Sequence, residues 1–267
     1  MNRIVFIKEL KRNRKNFGIW TGIVLAFTML ILSIYPSFSD MGKDLVNLMA
    51  KLPKEYARAF GMDEATWNSI IGFYSTYFGI YITLLIGIFT ASTGATILGK
   101  EERDGTAEFL LTRPVSRSCI FYSKMAALGI MILLVFFIQT LFALTGILIF
   151  SDFSDWSIFW VMQVHGFFLV TLFTGLAIFI SSFLSPKINF MGMVVGMIFG
   201  TYLVNAISKT ADKIEWIGFI SPYHYLNLNL DQGSLSFNPW ACFTFFLITL
   251  VLTAWAKKRF LKKDILN

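Results

Sequence analysis

Residues 125–150 read MAALGIMILLVFFIQTLFALTGILIF, 26 positions without a single Asp, Glu, Lys or Arg. As an α-helix this run is about 39 Å long, more than the roughly 30 Å of hydrocarbon in a bilayer. Helices buried in water-soluble domains average only about 10–14 residues, so the run predicts a membrane span. Working outward from it, five further segments pass the same test: 17–35, 70–98, 158–184, 188–207 and 239–256. None of them carries a formal charge; all 23 basic and all 16 acidic residues fall in the connecting segments. With 56% hydrophobic and 15% charged residues, too few polar side chains remain to cover a water-facing surface. The fold class expected is therefore an all-α membrane protein of six transmembrane helices. The first run has no small-residue cleavage site after it and exceeds a signal peptide's apolar region, so it reads as a retained span.

Orientation follows from where Lys and Arg concentrate. One side receives the N-terminal segment, the 99–124 loop, the turn with Lys187 and the tail, with 17 basic against 6 acidic residues. The other side holds 6 basic and 10 acidic residues. The basic side is expected to be cytoplasmic, which places both termini there. The net charge of +7 then reads as attraction to a membrane surface and not to nucleic acid. Cys119 and Cys242 fall on opposite sides, so no disulfide joins them and no metal motif is present. Outside, residues 45–60 have the pattern of an amphipathic helix on the outer leaflet. Residues 208–238 gather Trp216, Phe219, Tyr223, His224 and Tyr225 around Pro222, as an interfacial aromatic belt or a gating element.

Several chemistries can be set aside. Gly94, Gly99 and Lys100 have P-loop spacing, but Glu101 stands where a magnesium-holding hydroxyl is needed, and the segment ends a span instead of following a strand. His165 and His224 lie on different segments and form no metal-binding cluster; a satisfied packing role is expected for His165. No catalytic residue and no metal site is expected. Ion-coupled carriers keep charged residues within the membrane. Here the polar groups in the spans are neutral, so the energy for any transport comes from elsewhere. Gln139 and Thr140 in the middle of the third span either line a substrate path or join helices, and joining is favoured. Gly192, Gly196 and Gly200 form a small-residue stripe on the fifth span, a candidate dimer seam or an internal packing face.

The most informative connection is residues 100–117, KEERDGTAEFLLTRPVSR. A short amphipathic helix over 106–111, stopped before Pro114, is expected there. It is either a docking element for a soluble partner or an interfacial helix on the inner leaflet. The residues Glu101, Gly105, Thr106, Glu108, Leu110, Leu111, Thr112, Pro114, Val115, Ser116 and Arg117 set out a pattern that resembles the ABC-2 type permease family. These are membrane subunits of ATP-binding cassette transporters, mostly exporters. Lys8-Glu9-Leu10, the six spans, Ser221-Pro222-Tyr223 and the terminal Phe260 with Lys263-Asp264-Ile265 extend the likeness over the whole chain.

That resemblance implies a single permease domain over 1–267 of the type V exporter-like class. In it, 1–16 would be a cytoplasmic connecting helix and 99–124 the coupling loop. Glu101, Glu102, Gly105, Thr106, Glu108, Leu110, Leu111, Pro114 and Arg117 would make the ATPase contact. It further implies a non-catalytic subunit of the cell membrane with no cofactor of its own. ATP and Mg would sit on a separate ABC ATPase present in two copies, beside a second permease copy or a related one. The aromatic, uncharged spans suggest an amphipathic or hydrophobic substrate, such as a peptide, an antibiotic or a lipid-like molecule. Two other readings stay open: a stand-alone channel or secondary carrier, and an ABC-linked membrane sensor or scaffold.

Overall fold

In hydrocarbon every backbone N–H and C=O must find its partner inside the chain, and a helix does this within one segment. The computed structural model describes residues 2–40, 69–106, 115–150, 156–210, 212–228, 230 and 235–262. Its helices are α1 (Arg3–Asp40), α2 (Ile70–Tyr77), a π-turn (Phe78–Ile82), α3 (Thr83–Ile97) and the single turn α4 (Lys100–Arg103). After these come α5 (Arg117–Phe150), α6 (Trp156–Ser181), α7 (Phe190–Ser208), a 3-10 helix (Asp212–Ile220), α8 (Pro222–Tyr225) and α9 (Pro239–Lys262). Six of them are long and apolar enough to cross a membrane: α1, α2 to α3 taken together, α5, α6, α7 and α9. The amphipathic helix expected over 45–60 lies outside the described residues.

Two helices run beyond their apolar segments at the basic end. The segment 1–16, expected as a connecting helix, is helical and continuous with the first span in α1. No proline precedes Pro36, and Ile4 to Leu10 are residues that propagate a helix, so nothing breaks it. The helix that carries the third apolar run begins at Arg117, before that run, with the Cys119 N–H bonded to Ser116 Oγ at 3.3 Å. Charge marks the edge of the hydrocarbon, but only a cap or a breaker marks the end of a helix. Lys124 therefore lies on helix and not in a loop.

The second span is the hub. Of its apolar stretch 72% is buried, against 22% for the last span. α3 packs on α6 and α7 and also touches α1 and α5, while α1 lies along α5 and α6 along α9. In mid-span the π-turn swings Phe78 against Gly166 of α6, where a Cβ would come within 2.8 Å of the ring.

Candidate functional site

α3 ends at Ile97, and the chain makes one further helical turn before leaving the bundle. Gly99 lies against Pro186 of the α6–α7 turn; a Cβ there would sit 2.8 Å from the proline Cβ, so only glycine fits. Gly105 ends the turn at φ +67°, a left-handed conformation that other residues resist. Its N–H donates to Glu102 O at 3.3 Å and the Thr106 N–H to Glu101 O at 2.8 Å. This pair of bonds is the Schellman closure of a helix C-terminus. It gives a physical reason for the spacing Glu101-x-x-x-Gly105-Thr106: the glycine ends the same turn that carries the glutamate.

That glutamate points inward. Glu101 is 7% exposed and accepts from Nζ of Lys124 on α5, which is itself 1% exposed. Lys124 Nζ also donates to Ile97 O at 2.6 Å, capping a carbonyl at the end of α3. On its other side stands Glu9 of α1, 2% exposed, with Oε1 3.9 Å from the ammonium. Arg12, one turn further along α1, reaches Glu101 Oε1 at 3.4 Å and pairs with Asp104. Asn13 Nδ2 donates to Glu9 Oε2 at 3.2 Å, and its Oδ1 accepts from Lys100 Nζ at 3.2 Å. With Arg103 Nε 3.3 Å from Asp104 Oδ1, three carboxylates and four cations from α1, the α4 turn and α5 thus form one knot.

The balance of signs matters more than any single pair. Two unit charges about 4 Å apart attract by roughly 4 kcal/mol at an effective dielectric of 20. Desolvation offsets most of this, so an intact buried pair adds little stability. Removing one member alone is costly, because its partner is then left charged and dry. Burial, and then the Arg12 charge, hold the Lys100 ammonium below its ordinary pKa of 10.5. Desolvation pulls Asp104 upward, but the Arg103 hydrogen bond and the Arg12 and Arg103 charges outweigh it and hold the carboxyl below 3.8.

The other sequence candidates fall in different places. Glu102 is half-buried, while Gly105 and Thr106 are exposed. Arg117 donates Nη1 to Leu261 O at 3.4 Å, near the C-terminus of α9. Glu108, Leu110, Leu111 and Pro114 lie outside the described residues. Gly94 sits within α3 against Ile178 and Thr174, a helix-packing position and not a phosphate cradle. Gln139 is fully buried and donates Nε2 to Tyr74 Oη at 2.6 Å; Thr140 Oγ1 donates to Gln163 Oε1 at 3.1 Å. Both side chains named as substrate-path candidates thus make a bond to another helix, while Gln139 Oε1 is buried without a partner among the described residues. His165 is buried, with Nδ1 2.9 Å from Asn227 O and Nε2 accepting the Asn238 N–H at 3.2 Å.

The glycine stripe behaves unlike the packed glycines. A Cβ on Gly175 would meet Thr249 at 2.9 Å, whereas at Gly192, Gly196 and Gly200 nothing among the described residues lies within 4 Å. That face of α7 has no described neighbour within the protomer.

Sequence reasoning missed Glu9, Arg12 and Lys124 as members of the site. The signals were there: Glu9, Arg12 and Asn13 recur at helical spacing, and Lys124 stands directly against a long charge-free run.

The comparison with known families adds one finding. A family model described as ABC-2 family transporter protein matches residues 3–265, nearly the whole chain. No curated protein matches it. Six apolar helices, a charged turn rooted in the bundle and that match agree, and the chain belongs to the ABC-2 family of transporter proteins.

Proposed function

We propose that this permease subunit exports an amphipathic or apolar substrate, driven by two copies of a separate ATPase that grip the segment 99–117 from the cytoplasm. The knot around Glu101 and Lys124 is the observation that supports this most. A loop tied to the bundle by backbone alone would bend when pushed. Here the first turn of the loop is held to α1 and α5 by buried charges, so a push on the turn carries to both spans. The exposed Gly105 and Thr106, with the half-buried Glu102, leave a surface for the ATPase on the far side of that turn.

Energy in this scheme enters through a protein contact. ATP binding closes the ATPase pair, the two loops move as levers, and the spans rock to open a path outward. Two permease chains meet along the open glycine stripe of α7, whose flat face lets a second helix approach closely. For the substrate, the support is the charge-free bundle and a run of rings, with Phe27 5.3 Å from Tyr81 and Tyr81 6.0 Å from Tyr77. Such faces suit a greasy molecule better than an ion.

The test is purification of the tagged chain from its own cells, followed by reconstitution of whatever ATPase accompanies it. The expected result is an ATPase in equal number with the permease, whose hydrolysis rises when the permease is present. A single cysteine at Thr106, in a chain freed of Cys119 and Cys242, should resist an impermeant maleimide in intact cells. Labelling from outside, or no accompanying ATPase, would overturn the proposal.

A further inference from the structure

A cleft at the basic end lies apart from the knot, between the end of α6 and the last turns of α9, with a volume of about 540 Å³. Trp255, Lys258, Arg259 and Lys262 recur at i, i+3, i+4 and i+7, which places all four on one face of α9. Phe183 and Leu184, just past α6, supply the opposing apolar wall. The Arg259 guanidinium lies 4.3 Å from the centre of the Phe183 ring, which fixes it across the cleft. Lys257 turns away instead and bonds Tyr122 Oη at 2.7 Å, so helix geometry selects which cations face the cleft. Among the described residues no carboxylate pairs with Lys258, Arg259 or Lys262.

We propose that this α6–α9 cleft binds the anionic headgroup of a phospholipid from the basic-side leaflet. Three cations stand where the last span leaves the hydrocarbon, and below them the walls are apolar. Charge at one end and grease at the other match an anionic amphiphile, and neither a free anion nor a nucleic acid uses both. The exposed Trp255 lies at the end of the last charge-free run, three residues before Lys258, and tryptophans at span ends meet headgroups in general. Basic pockets between spans on this side of a membrane take such headgroups in general. Cations that complement the α9 dipole would explain the charge, but not the ring and leucine facing it. The proposal rests on the membrane placement and is independent of the coupling reading.

The test uses the full chain in mild detergent, titrated with dioleoyl-phosphatidylglycerol, dioleoyl-phosphatidylcholine and inorganic phosphate and read by native mass spectrometry. Phosphatidylglycerol should remain bound where phosphatidylcholine dissociates, and inorganic phosphate should not displace it. Each cation near an anionic headgroup is worth about fivefold in affinity, so Lys258→Gln with Lys262→Gln should weaken binding more than about tenfold. Both lysines are exposed, so this variant keeps its fold. Lys15→Gln with Lys213→Gln removes the same charge at exposed positions elsewhere and should bind as the unmodified chain does. Leu184→Asn, which changes no charge, should also weaken phosphatidylglycerol. Equal binding of both lipids, displacement by phosphate, or equal loss in the two lysine variants would overturn the site.

Discussion

The two ends of the bundle are fastened by different chemistry. At the basic end, α1, the α4 turn and α5 meet through charged side chains that are buried together. At the opposite end, three fastenings among the described residues are neutral and run to backbone. Ser221 Oγ donates to Thr201 O at 2.7 Å, His165 lies between Asn227 O and the Asn238 N–H, and Tyr225 Oη donates to Phe219 O at 3.0 Å. A neutral clasp loses about one hydrogen bond's worth of stability when one partner is altered. An ionic knot adds little stability while intact but does not tolerate the loss of one member.

The sharpest way to break this contrast is Lys124→Met. It leaves the Glu9 and Glu101 carboxylates buried without their shared ammonium and should cost about 3–5 kcal/mol, read as thermal unfolding in detergent. At the other end, His165→Leu removes the bonds to the Asn227 carbonyl and the Asn238 N–H and should cost about 1–3 kcal/mol, with stimulated ATPase activity kept in the folded fraction. Gly105→Ala should cost about 1–2 kcal/mol, because a Cβ is forced into the left-handed region. Gly105→Pro also removes the N–H that reaches Glu102 O and should abolish stimulated hydrolysis while the chain still inserts.

The smallest effect expected is one of pH. Asp104 has a carboxyl held below its ordinary 3.8, so its pairing stabilises the fold above that value. The contribution fades as pH falls below 3.8 and through the lowered value. Asp104 is partly exposed, so the change should be a shallow slope in melting temperature that Asp104→Asn removes.

Much of this was legible from the chain itself. Six spans follow from charge-free runs, because lipid forbids unpaired charge at their centres. The importance of Glu101, Gly105 and Thr106 could be read from their pattern, but the direction of Glu101 could not. Which way a residue on a one-turn helix points is set by its partners, and Glu9 and Lys124 are far from it in sequence. The helix ends at Arg3 and Arg117 could not be read from charge, because charge marks the edge of an apolar run and not the end of a helix. That Gln139 joins helices through Nε2 to Tyr74 was the favoured reading of its polarity, but which helix holds its partner could not be read from the chain.

The knot is tested most directly by a double-mutant cycle on ATPase stimulation in the reconstituted complex, with Glu101→Gln and Lys124→Met made singly and together. Lys124→Met alone should suppress stimulation, and adding Glu101→Gln should restore part of it by removing one stranded carboxylate, a coupling of about 0.5–3 kcal/mol. Losses that simply add, or stimulation untouched by Lys124→Met, would mean that motion reaches the spans by another route.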